Sequence, residues 1–487
     1  MNMKILLAGY NVDYNLIREL REKSAIKQDI TPETISAAYA RISRSPKPVD
    51  ELRADALAEV DKARKSNRNI VFEMGHSSVA EHAVFNIDVI GVSRLLVEEI
   101  EKFRLCSYTE KSQRYVLFDK DFVVPAEIVE AGFKDLFVST ITMQNDFYRE
   151  LYEQLRPYVF EQNSALAEKP ANKSLLEGWA KEDARYAIAL ATETQLGMTI
   201  NARNLELMLR RLAASPLAEA RLYSEKLYAA TRDIAPSLIR YTQATDYDLL
   251  TRRNLREFCK TYAPEKKNLP PEGVRLLWST PDADTKALAA LLFASSVWNY
   301  DHCLKQAKRM DLRDAKALFK TVFENIQAYD AVLRELENVD LQFELTVSAS
   351  CFAQLKRHRM STIISQDYDP ALGVTVPPAI RAIGRQKEFM AMIRKTNGVY
   401  DLVWQKHPEA AAYVLTNAHR KRVLMKLNAR ELYHLSRMRV DAHAQWDIRN
   451  LSEKMLKQSS KVMPLTLMTA CGKDGFAALH KKVFSRT

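Results

Sequence analysis

Arginine-containing groups are the residues of this sequence best suited to chemistry on an anionic ligand. One group is the run EKSQR at residues 110–114, and another is the basic triplet RHR at residues 357–359, which follows Gln354. Guanidinium groups hold a phosphate through planar, paired hydrogen bonds that lysine cannot reproduce. A basic triplet alone is more typical of a solvated surface, so its position in the fold must decide its role.

The charge balance favours anionic partners. The 487 residues carry a formal net charge of +11, which suits nucleic acid, a phosphorylated metabolite or a dinucleotide, and charge alone does not choose among them. The 12 glycines form neither GxGxxG nor a Walker loop. If a dinucleotide binds, side chains must therefore do much of the holding.

Several other classes of protein and site are disfavoured. No apolar run is long enough to cross a bilayer and the N-terminus lacks a signal-peptide pattern, so we expect a cytoplasmic protein without membrane contact. The five scattered cysteines support neither a disulfide framework nor a zinc site. His76, Glu81 and His82 lack a further ligand at metal spacing, so no metal is expected. Ser112 has no His/Asp pair to activate it as a nucleophile.

The length and periodicity predict two helix-rich domains. Residues 182–212 and 411–446 have apolar side chains at helical spacing and are expected to be long helices. Two segments alternate instead and predict strands, HAVFNIDVIG from residue 82 and LQFELTVSAS from residue 341.

Three landmarks occur twice in the same order. Each predicted strand is followed by a helical run and a basic triplet, KFR at 102–104 or RHR at 357–359, and later by NAR at 201–203 or 428–430, expected inside a long helix. We therefore predict two tandem domains, residues 1–262 and 263–487, with a linker near 262–273. The first copy is 28 residues longer between the landmarks, and residues 161–179 are the expected place for much of this excess. The alternative is two α/β domains that share tripeptides by coincidence.

The first copy resembles the ThyX family, the flavin-dependent thymidylate synthases. Residues 75–116 follow the family pattern GHxSxxEH, GVSR and RHRxxSxNExSxRY, including Tyr115 of the final RY. The departures are Glu99, Lys102, Phe103 and Thr109, where the family usually has Gln, Arg, His and Asn. VRLLWSTPDAD from residue 274 resembles the opening strand of the family.

The second copy retains what the first has lost. It keeps Gln354, the RHR triplet and NARELYHLSRMRVDAHAQWDIR from residue 428, but Ser365, Asp367 and Asp369 replace the ExSxR residues. The first copy keeps ExSxR and loses the later LR and HAQ elements. The isolated arginine of the family motif ARxxLP is met by Arg185 in the first copy and by Ala412 in the second.

The resemblance implies an α/β (α+β) fold in which each copy has a small, mostly antiparallel sheet packed with long helices. It implies FAD as cofactor, NADPH and methylenetetrahydrofolate as co-substrates, and reductive methylation of dUMP to dTMP without a protein nucleophile. Because each copy carries only part of the family site, we expect a composite site that joins residues of both copies. A homodimer would then form a pseudo-tetramer of domains with two working sites.

The resemblance also implies roles for individual residues. Arg439, the LR arginine, is the expected catalytic residue, because a cation near the uracil ring stabilises charge that accumulates there. On one helix Arg439 would share a face with His443, as Arg430 would with His434. The expected substrate-binding residues are Gln354, Arg357, Glu110, Lys111, Ser112, Gln113, Arg114, Arg185 and Arg439, with Arg114, Arg185 and Arg357 as candidates for the phosphate. The expected cofactor-binding residues are His76, Ser78, Glu110, Arg357, His358, Arg359, Asn428, Arg430, His434 and His443.

Two other functions remain open. The decay of both copies, particularly at Phe103 and Thr109, would also suit a non-catalytic protein that binds a nucleotide or flavin. The retained ExSxR residues favour a dUMP-like ligand but do not specify the 5-substituent, so an enzyme that alkylates another pyrimidine nucleotide is a further alternative. Nucleic-acid binding is least favoured, because the arginines fall on family ligand positions and not in a separate basic arm.

Overall fold

The chain forms two compact units in a computed structural model. The structure describes residues 2–23, 31–42, 45–114, 116–117, 121–262 and 273–485, so Tyr115 and most of the predicted linker lie outside the described residues. The first unit comprises Met1–Lys266 and Ile383–Leu415, and the second comprises Lys267–Ala382 and Thr416–Thr487. The boundary between residues 262 and 263 stays a prediction. Among the described helices, none combines the length and apolar character needed to cross a bilayer.

The first unit contains a four-stranded antiparallel sheet. Its strands are β1 (Lys4–Tyr10), β2 (Val84–Ser93), β3 (Ser107–Glu110) and β4 (Glu193–Asn201). Their order is β1-β2-β4-β3. Phe85, Ile87 and Val89 of β2 are buried and their neighbours Asn86 and Asp88 are exposed, which confirms the strand predicted from the alternation.

Helices cover the sheet of the first unit. In chain order they are α1 (Tyr14–Lys23), α2 (Glu33–Arg41), α3 (Val49–Ala58), α4 (Val60–Arg68), α5 (Arg94–Ile100), α6 (Ala126–Glu130), α7 (Lys134–Gln162), α8 (Ser164–Ala167), α9 (Lys173–Ala184), α10 (Ala202–Ala213), α11 (Ala218–Thr231) and α12 (Asp246–Lys260). Helices α8 and α9 occupy the region expected to hold the 28-residue excess.

The second unit repeats the sheet. Its strands are β5 (Val274–Ser279), β6 (Asp340–Ser348), β7 (Thr362–Ser365) and β8 (Arg420–Asn428). Their order, β5-β6-β8-β7, is that of the first sheet, and every pairing is again antiparallel. The strands predicted from residues 274 and 341 are therefore confirmed, and the mixed helix and sheet fold is the one expected.

The second unit has helices between its strands and after the last strand. They are α13 (Ala283–Ala294), α14 (Tyr300–Arg309), α15 (Leu312–Phe323), α16 (Ala349–Leu355), α17 (Pro378–Ala382), α19 (Ala429–Arg439), α20 (Trp446–Val462) and α21 (Phe476–Phe484), while α18 (Gln386–Lys406) belongs to the first unit. Within the first unit, buried Gln144 of α7 donates to Thr396 Oγ1 of α18 at 2.8 Å and to the Val414 carbonyl at 3.0 Å.

The two segments predicted to be long helices are not continuous helices. Residues 182–212 contain β4, in which Thr194, Leu196, Met198 and Ile200 alternate as buried residues, and residues 411–446 contain β8. Each NAR triplet therefore lies at a strand-to-helix junction, where its asparagine caps the following helix. Scarce glycine and proline suggested helix, but burial of one face stabilises a strand there.

A repeated serine junction places equivalent residues of the two units in the same position. Ser93 and Ser348 each cap the helix that follows the second strand of their sheet. Each serine hydroxyl also donates to a carboxylate at 2.6 Å, Glu219 in the first unit and Asp447 in the second. The residue after each serine, Arg94 or Ala349, therefore occupies the same place in both folds.

Candidate functional site

The ExSxR motif of the first unit begins with a buried ion pair. Glu110 is the last residue of β3 and pairs with Arg94, the first residue of α5, and their side chains are 1% and 6% exposed. The second unit has Ser365 and Ala349 at these positions, since β7 pairs with β8 as β3 pairs with β4. Both members of the ion pair are thus absent from the second unit together.

The motif continues into an arginine cluster. Arg114 pairs with Glu182, which lies near the end of α9. Arg185 follows α9 directly and is buried; burial lowers the pKa of its guanidinium, and Glu182 opposes that shift while Arg114 adds to it. Two guanidinium groups therefore lie near one carboxylate, an arrangement suited to a phosphate.

The residues between Glu110 and Arg114 shape the turn that leads to this cluster. The Lys111 N–H donates to the Gln195 carbonyl at 2.9 Å, and Ser112 Oγ accepts the Arg114 N–H at 3.1 Å. Gln113 is buried and Lys111 is exposed. Ser112 thus orients the backbone of Arg114, and the first unit brings the predicted residues 110–114 and Arg185 to one region.

The second unit cannot build the same cluster. Asp369, in the place of Arg114, caps a short helical turn by accepting the Ala371 N–H at 2.9 Å. Asp367 is exposed. Ala412, which stands for Arg185 in the sequence of the second copy, lies in the segment that belongs to the first unit. Carboxylates in these positions would repel a phosphate, so the arginines predicted to bind one are present only in the first copy.

Arg439 lies in the C-terminal segment of the family pattern, in the second unit. Its Nε donates to His358 Nε2 at 3.1 Å, and its terminal nitrogen donates to the Gln354 carbonyl at 3.4 Å. His358 Nδ1 lies 3.2 Å from Glu431 Oε1. Burial lowers the pKa of His358, and the nearby guanidinium adds to this shift while Glu431 opposes it.

Gln354 lies beside this group on α16. Its side chain is buried, and its Nε2 donates to Gln445 Oε1 at 3.3 Å. Gln354 Oε1 is buried and accepts no hydrogen bond from the described residues, so an N–H of a bound ring could be its donor. Arg357 and Arg359 are exposed on either side of buried His358. The triplet therefore places two exposed arginines on either side of a buried histidine.

Three of the predicted cofactor residues in the second unit lie on or next to α19. Asn428 caps this helix by accepting the Glu431 N–H at 2.8 Å. Arg430 donates to the Val332 carbonyl at 2.9 Å and to Glu337 at 3.0 Å, and His434 is exposed with its ring 5.7 Å from that of His358.

His443 does not lie on this helix. α19 ends at Arg439, and His443 is exposed beyond it with Nδ1 2.8 Å from Asp441. The prediction that Arg439 and His443 share one helical face is therefore wrong, because the turn at Asp441 intervenes.

His76 and Ser78 lie in the first unit, and both are exposed. The His76 N–H donates to the Ile70 carbonyl at 3.0 Å, and Ser78 lies in the short helical turn Ser77–His82. Glu81 of this turn pairs with Arg203 of the NAR triplet, as Glu337 pairs with Arg430 in the second unit. The NAR arginine thus has the same kind of partner in both copies.

One trio among the described residues could in principle hold a metal ion. A ligand atom from each of His358, Glu431 and His434 lies within 4.8 Å of the others. His358 Nε2, however, accepts the Arg439 N–H, and a guanidinium at this distance would repel a cation. The geometry therefore favours a hydrogen-bonded chain over a metal centre.

Four residues of these clusters received no site role in the sequence analysis, although Arg94 belongs to the GVSR motif. They are Arg94, Glu182, Glu431 and Asp447. Asp447 could have been found, because both copies carry an acid followed two positions later by arginine, in EAR and DIR. The others pair with residues 16, 68 and 73 positions away, and no local pattern reveals such partners.

Comparison with known proteins identifies the family. The sequence model of the family described as thymidylate synthase complementing protein matches residues 26–237 and 275–465, one segment in each half. A UPF0159 protein from Chlamydia muridarum is 26% identical over 429 residues, which cover 84% of this chain and 81% of that protein.

A flavin-dependent thymidylate synthase from Clostridium tetani is 30% identical over 217 residues, which cover 43% of this chain and 82% of that protein. A solved structure of the UMP/dUMP methylase PolB from Streptomyces cacaoi, bound with 5-Br dUMP, is 18% identical to this chain. The match covers 41% of this chain and 95% of the PolB chain. Its TM-score of 0.33 supports no argument. Because the two segments matched by the family span more than half of the sequence, the chain belongs to the thymidylate synthase complementing protein family, as its resemblance to the flavin-dependent thymidylate synthases indicated.

Proposed function

We propose that this protein is an FAD-dependent enzyme that methylates dUMP to dTMP, with methylenetetrahydrofolate as the one-carbon donor and NADPH as the reductant. The observation that carries the proposal is the division of the family site between the copies. The first unit holds Arg114 and Arg185 near Glu182, and the second holds Arg439 beside His358. We propose that these halves serve one composite site in a homodimer.

The side chains of the second unit are chemically suited to a flavin. Exposed Arg357 and Arg359 can hold a pyrophosphate, and exposed His434 and His443 can contact a ring or ribose. A bound flavin would supply the redox chemistry and carry the one-carbon group. Arg430 donates to Glu337 and to a backbone carbonyl, so we assign it first to holding α19 in place and only secondarily to the cofactor.

The protein groups would orient the nucleotide and compensate its charge. Arg114 and Arg185 bind the phosphate, Gln354 Oε1 accepts the N–H of the pyrimidine, and Arg439 stabilises negative charge that develops on the ring. No residue is required as a nucleophile. The role of Arg439 is catalytic in this scheme because its guanidinium faces the reacting ring.

The test is incubation of the full chain with FAD, NADPH, methylenetetrahydrofolate and dUMP, followed by mass analysis of the nucleotide. We expect a gain of one methyl group and NADPH oxidation that depends on dUMP. Arg114→Ala and Arg439→Ala, in different copies, should each reduce turnover by about 100-fold or more. The exposed variant Lys260→Ala is a matched control and should keep full activity.

Each contrary outcome of this test leads to a different conclusion. A colourless protein that takes up no FAD would refute the proposal. Flavin binding without nucleotide methylation would instead favour a non-catalytic binding protein, and methylation of UMP in preference to dUMP would favour another pyrimidine nucleotide as substrate. Full activity in either arginine variant would refute the composite site.

A further inference from the structure

Three side chains of the second unit form a linear chain of hydrogen bonds. Glu431 Oε1 lies 3.2 Å from His358 Nδ1, and Arg439 Nε lies 3.1 Å from His358 Nε2. An arginine Nε–H can only donate, so His358 Nε2 must be the acceptor and carry no proton. His358 Nδ1 then bears the proton and donates it to Glu431, which fixes a single neutral tautomer.

Each member of this chain is held in place. His358 is 3% exposed, and the Glu431 side chain is 7% exposed. The Glu431 backbone N–H donates to Asn428 Oδ1 at 2.8 Å, which anchors the first turn of α19. Arg439 also donates to the Gln354 carbonyl at 3.4 Å. Two hydrogen bonds, one from Nε and one from a terminal nitrogen, therefore define the plane of the Arg439 guanidinium.

The first unit lacks the whole chain of hydrogen bonds. Counted from the helix-capping asparagines Asn201 and Asn428, the positions of Glu431 and Arg439 carry Asn204 and Leu212. Asn204 folds back to Asn201 at 2.8 Å, and Leu212 is buried. His358 is matched by Phe103 in the triplet. The first unit lacks the counterparts of Glu431, His358 and Arg439 together, which is expected if these three residues act together.

We infer that Glu431 and His358 are positioning residues that fix the orientation of Arg439 through a carboxylate–imidazole–guanidinium chain. The inference rests on the proposed function in assigning Arg439 to the substrate ring. It also narrows the role of His358, because both ring nitrogens are engaged within the unit. Because the ring is also 3% exposed, the structure gives His358 a role in holding Arg439 and not in contacting a flavin through a ring nitrogen.

Substitutions of Glu431 and His358 should differ in effect according to the hydrogen bonds that they retain. Glu431→Gln retains a carbonyl oxygen that can accept the Nδ1–H, so it should preserve the tautomer and most of the activity. Glu431→Leu removes the acceptor, and His358→Phe reproduces the first copy and removes both bonds. His358→Gln can present Oε1 to Arg439 and should restore part of the activity lost in His358→Phe.

The kinetic test compares kcat and KM for dUMP in these full-length variants. We expect Glu431→Leu and His358→Phe to lower kcat by about 100-fold with little change in KM, because a misplaced catalytic group costs about that much. Glu431→Gln and His358→Gln should stay within roughly 10-fold of the unmodified protein, as partial rescue of a positioning role. Unchanged kcat in Glu431→Leu would overturn the inference.

A second measurement does not depend on activity. Nitrogen-15 NMR of labelled histidines distinguishes a protonated from an unprotonated ring nitrogen, and His358→Gln identifies the signals of His358. We expect Nδ1–H and unprotonated Nε2 at neutral pH in the protein without substrate. An Nε2–H tautomer would overturn the inference even if the enzyme is active, while the predicted tautomer in a protein that methylates nothing would refute only the proposed function.

Zinc is the decisive alternative at this position. Addition of one equivalent of Zn²⁺ should leave the His358 signals and the activity unchanged, and EDTA should have no effect. Stoichiometric zinc in the purified protein, lost with activity on treatment with EDTA, would show that His358, Glu431 and His434 form a metal centre and would overturn the hydrogen-bond assignment.

Discussion

The stability contributed by the buried ion pair between Arg94 and Glu110 can be predicted by comparing the two units of the chain. The second unit has Ala349 and Ser365 at the equivalent positions, so the same fold exists without the pair. We therefore consider Arg94→Ala, Glu110→Ser and the double variant that carries both. The double variant gives the first unit the residues that the second unit already has.

The size of the expected destabilisation follows from the burial of the two side chains. The side chains are 6% and 1% exposed, so removing one partner leaves a buried charge, which typically costs about 3–5 kcal/mol. A buried carboxylate that has lost its arginine can take up a proton, and for an ordinary glutamate at neutral pH this protonation costs roughly 4 kcal/mol. The double variant leaves no charge behind and should lose only about 1–2 kcal/mol through poorer packing. The interaction between the two substitutions should therefore be about 4 kcal/mol or more.

Thermal unfolding by calorimetry measures this interaction. For a unit of this size a loss of 1 kcal/mol lowers Tm by about 2–4 °C, so each single variant should lower the transition of the first unit by roughly 6–20 °C and the double variant by only a few degrees. The exposed pair Lys102 and Glu99 is the control, since its removal should change Tm by about 2 °C or less.

Activity should separate from stability in the same variants. Glu110 is a predicted ligand-binding residue, so all three variants should lose nucleotide-dependent NADPH oxidation, including the stable double variant. If the double variant were destabilised by the sum of the two single effects, the argument that the residues form one electrostatic unit would be refuted.

Three further outcomes are expected. Burial lowers the pKa of His419 to about 4. Its protonation therefore does not affect the free energy of unfolding above about pH 6.5 but lowers it by about 3 kcal/mol as the pH falls to 4. The urea midpoint of His419→Asn should depend less on pH in this range than that of the unmodified protein, and an equal dependence would contradict this. Arg114→Ala should weaken binding of dUMP by about 10- to 100-fold in calorimetry but leave deoxyuridine unaffected, whereas equal losses would exclude a phosphate contact. Ser348→Ala should lower the free energy of unfolding by about 1–2 kcal/mol through loss of the α16 cap and the bond to Asp447, and a change below 0.3 kcal/mol would contradict that role.

The strands that could be predicted from the sequence were those whose two faces differ most in polarity. In β2 the exposed residues are Asn86 and Asp88, so the alternation is plain in the letters. β4 also buries alternate residues, but it contains Gly197 and Thr199 on its other face and follows a helical segment. Its composition therefore suggested a continuous helix, and only packing in the sheet decides for a strand.

The candidate site was predictable as a set of residues but not as a set of contacts. The resemblance named Arg114, His358 and Arg439, and the structure supplies Glu182 and Glu431 as their partners. These carboxylates come from distant helices whose positions depend on the whole fold. Sequence spacing could not show which acidic residues end up buried beside which bases, because this depends on long-range packing.

The first unit is discontinuous in sequence, and this affects its folding during synthesis. Its helix α18 buries Phe389, Met392 and Ile393, and the segment ends at Leu415, about 150 residues after Lys266. At a translation rate of about 5–20 residues per second, the ribosome needs roughly 10–30 s to add those residues. The first unit therefore cannot complete its core until most of the second has been made. A gene truncated after residue 262 would encode a unit that lacks one of its own buried helices.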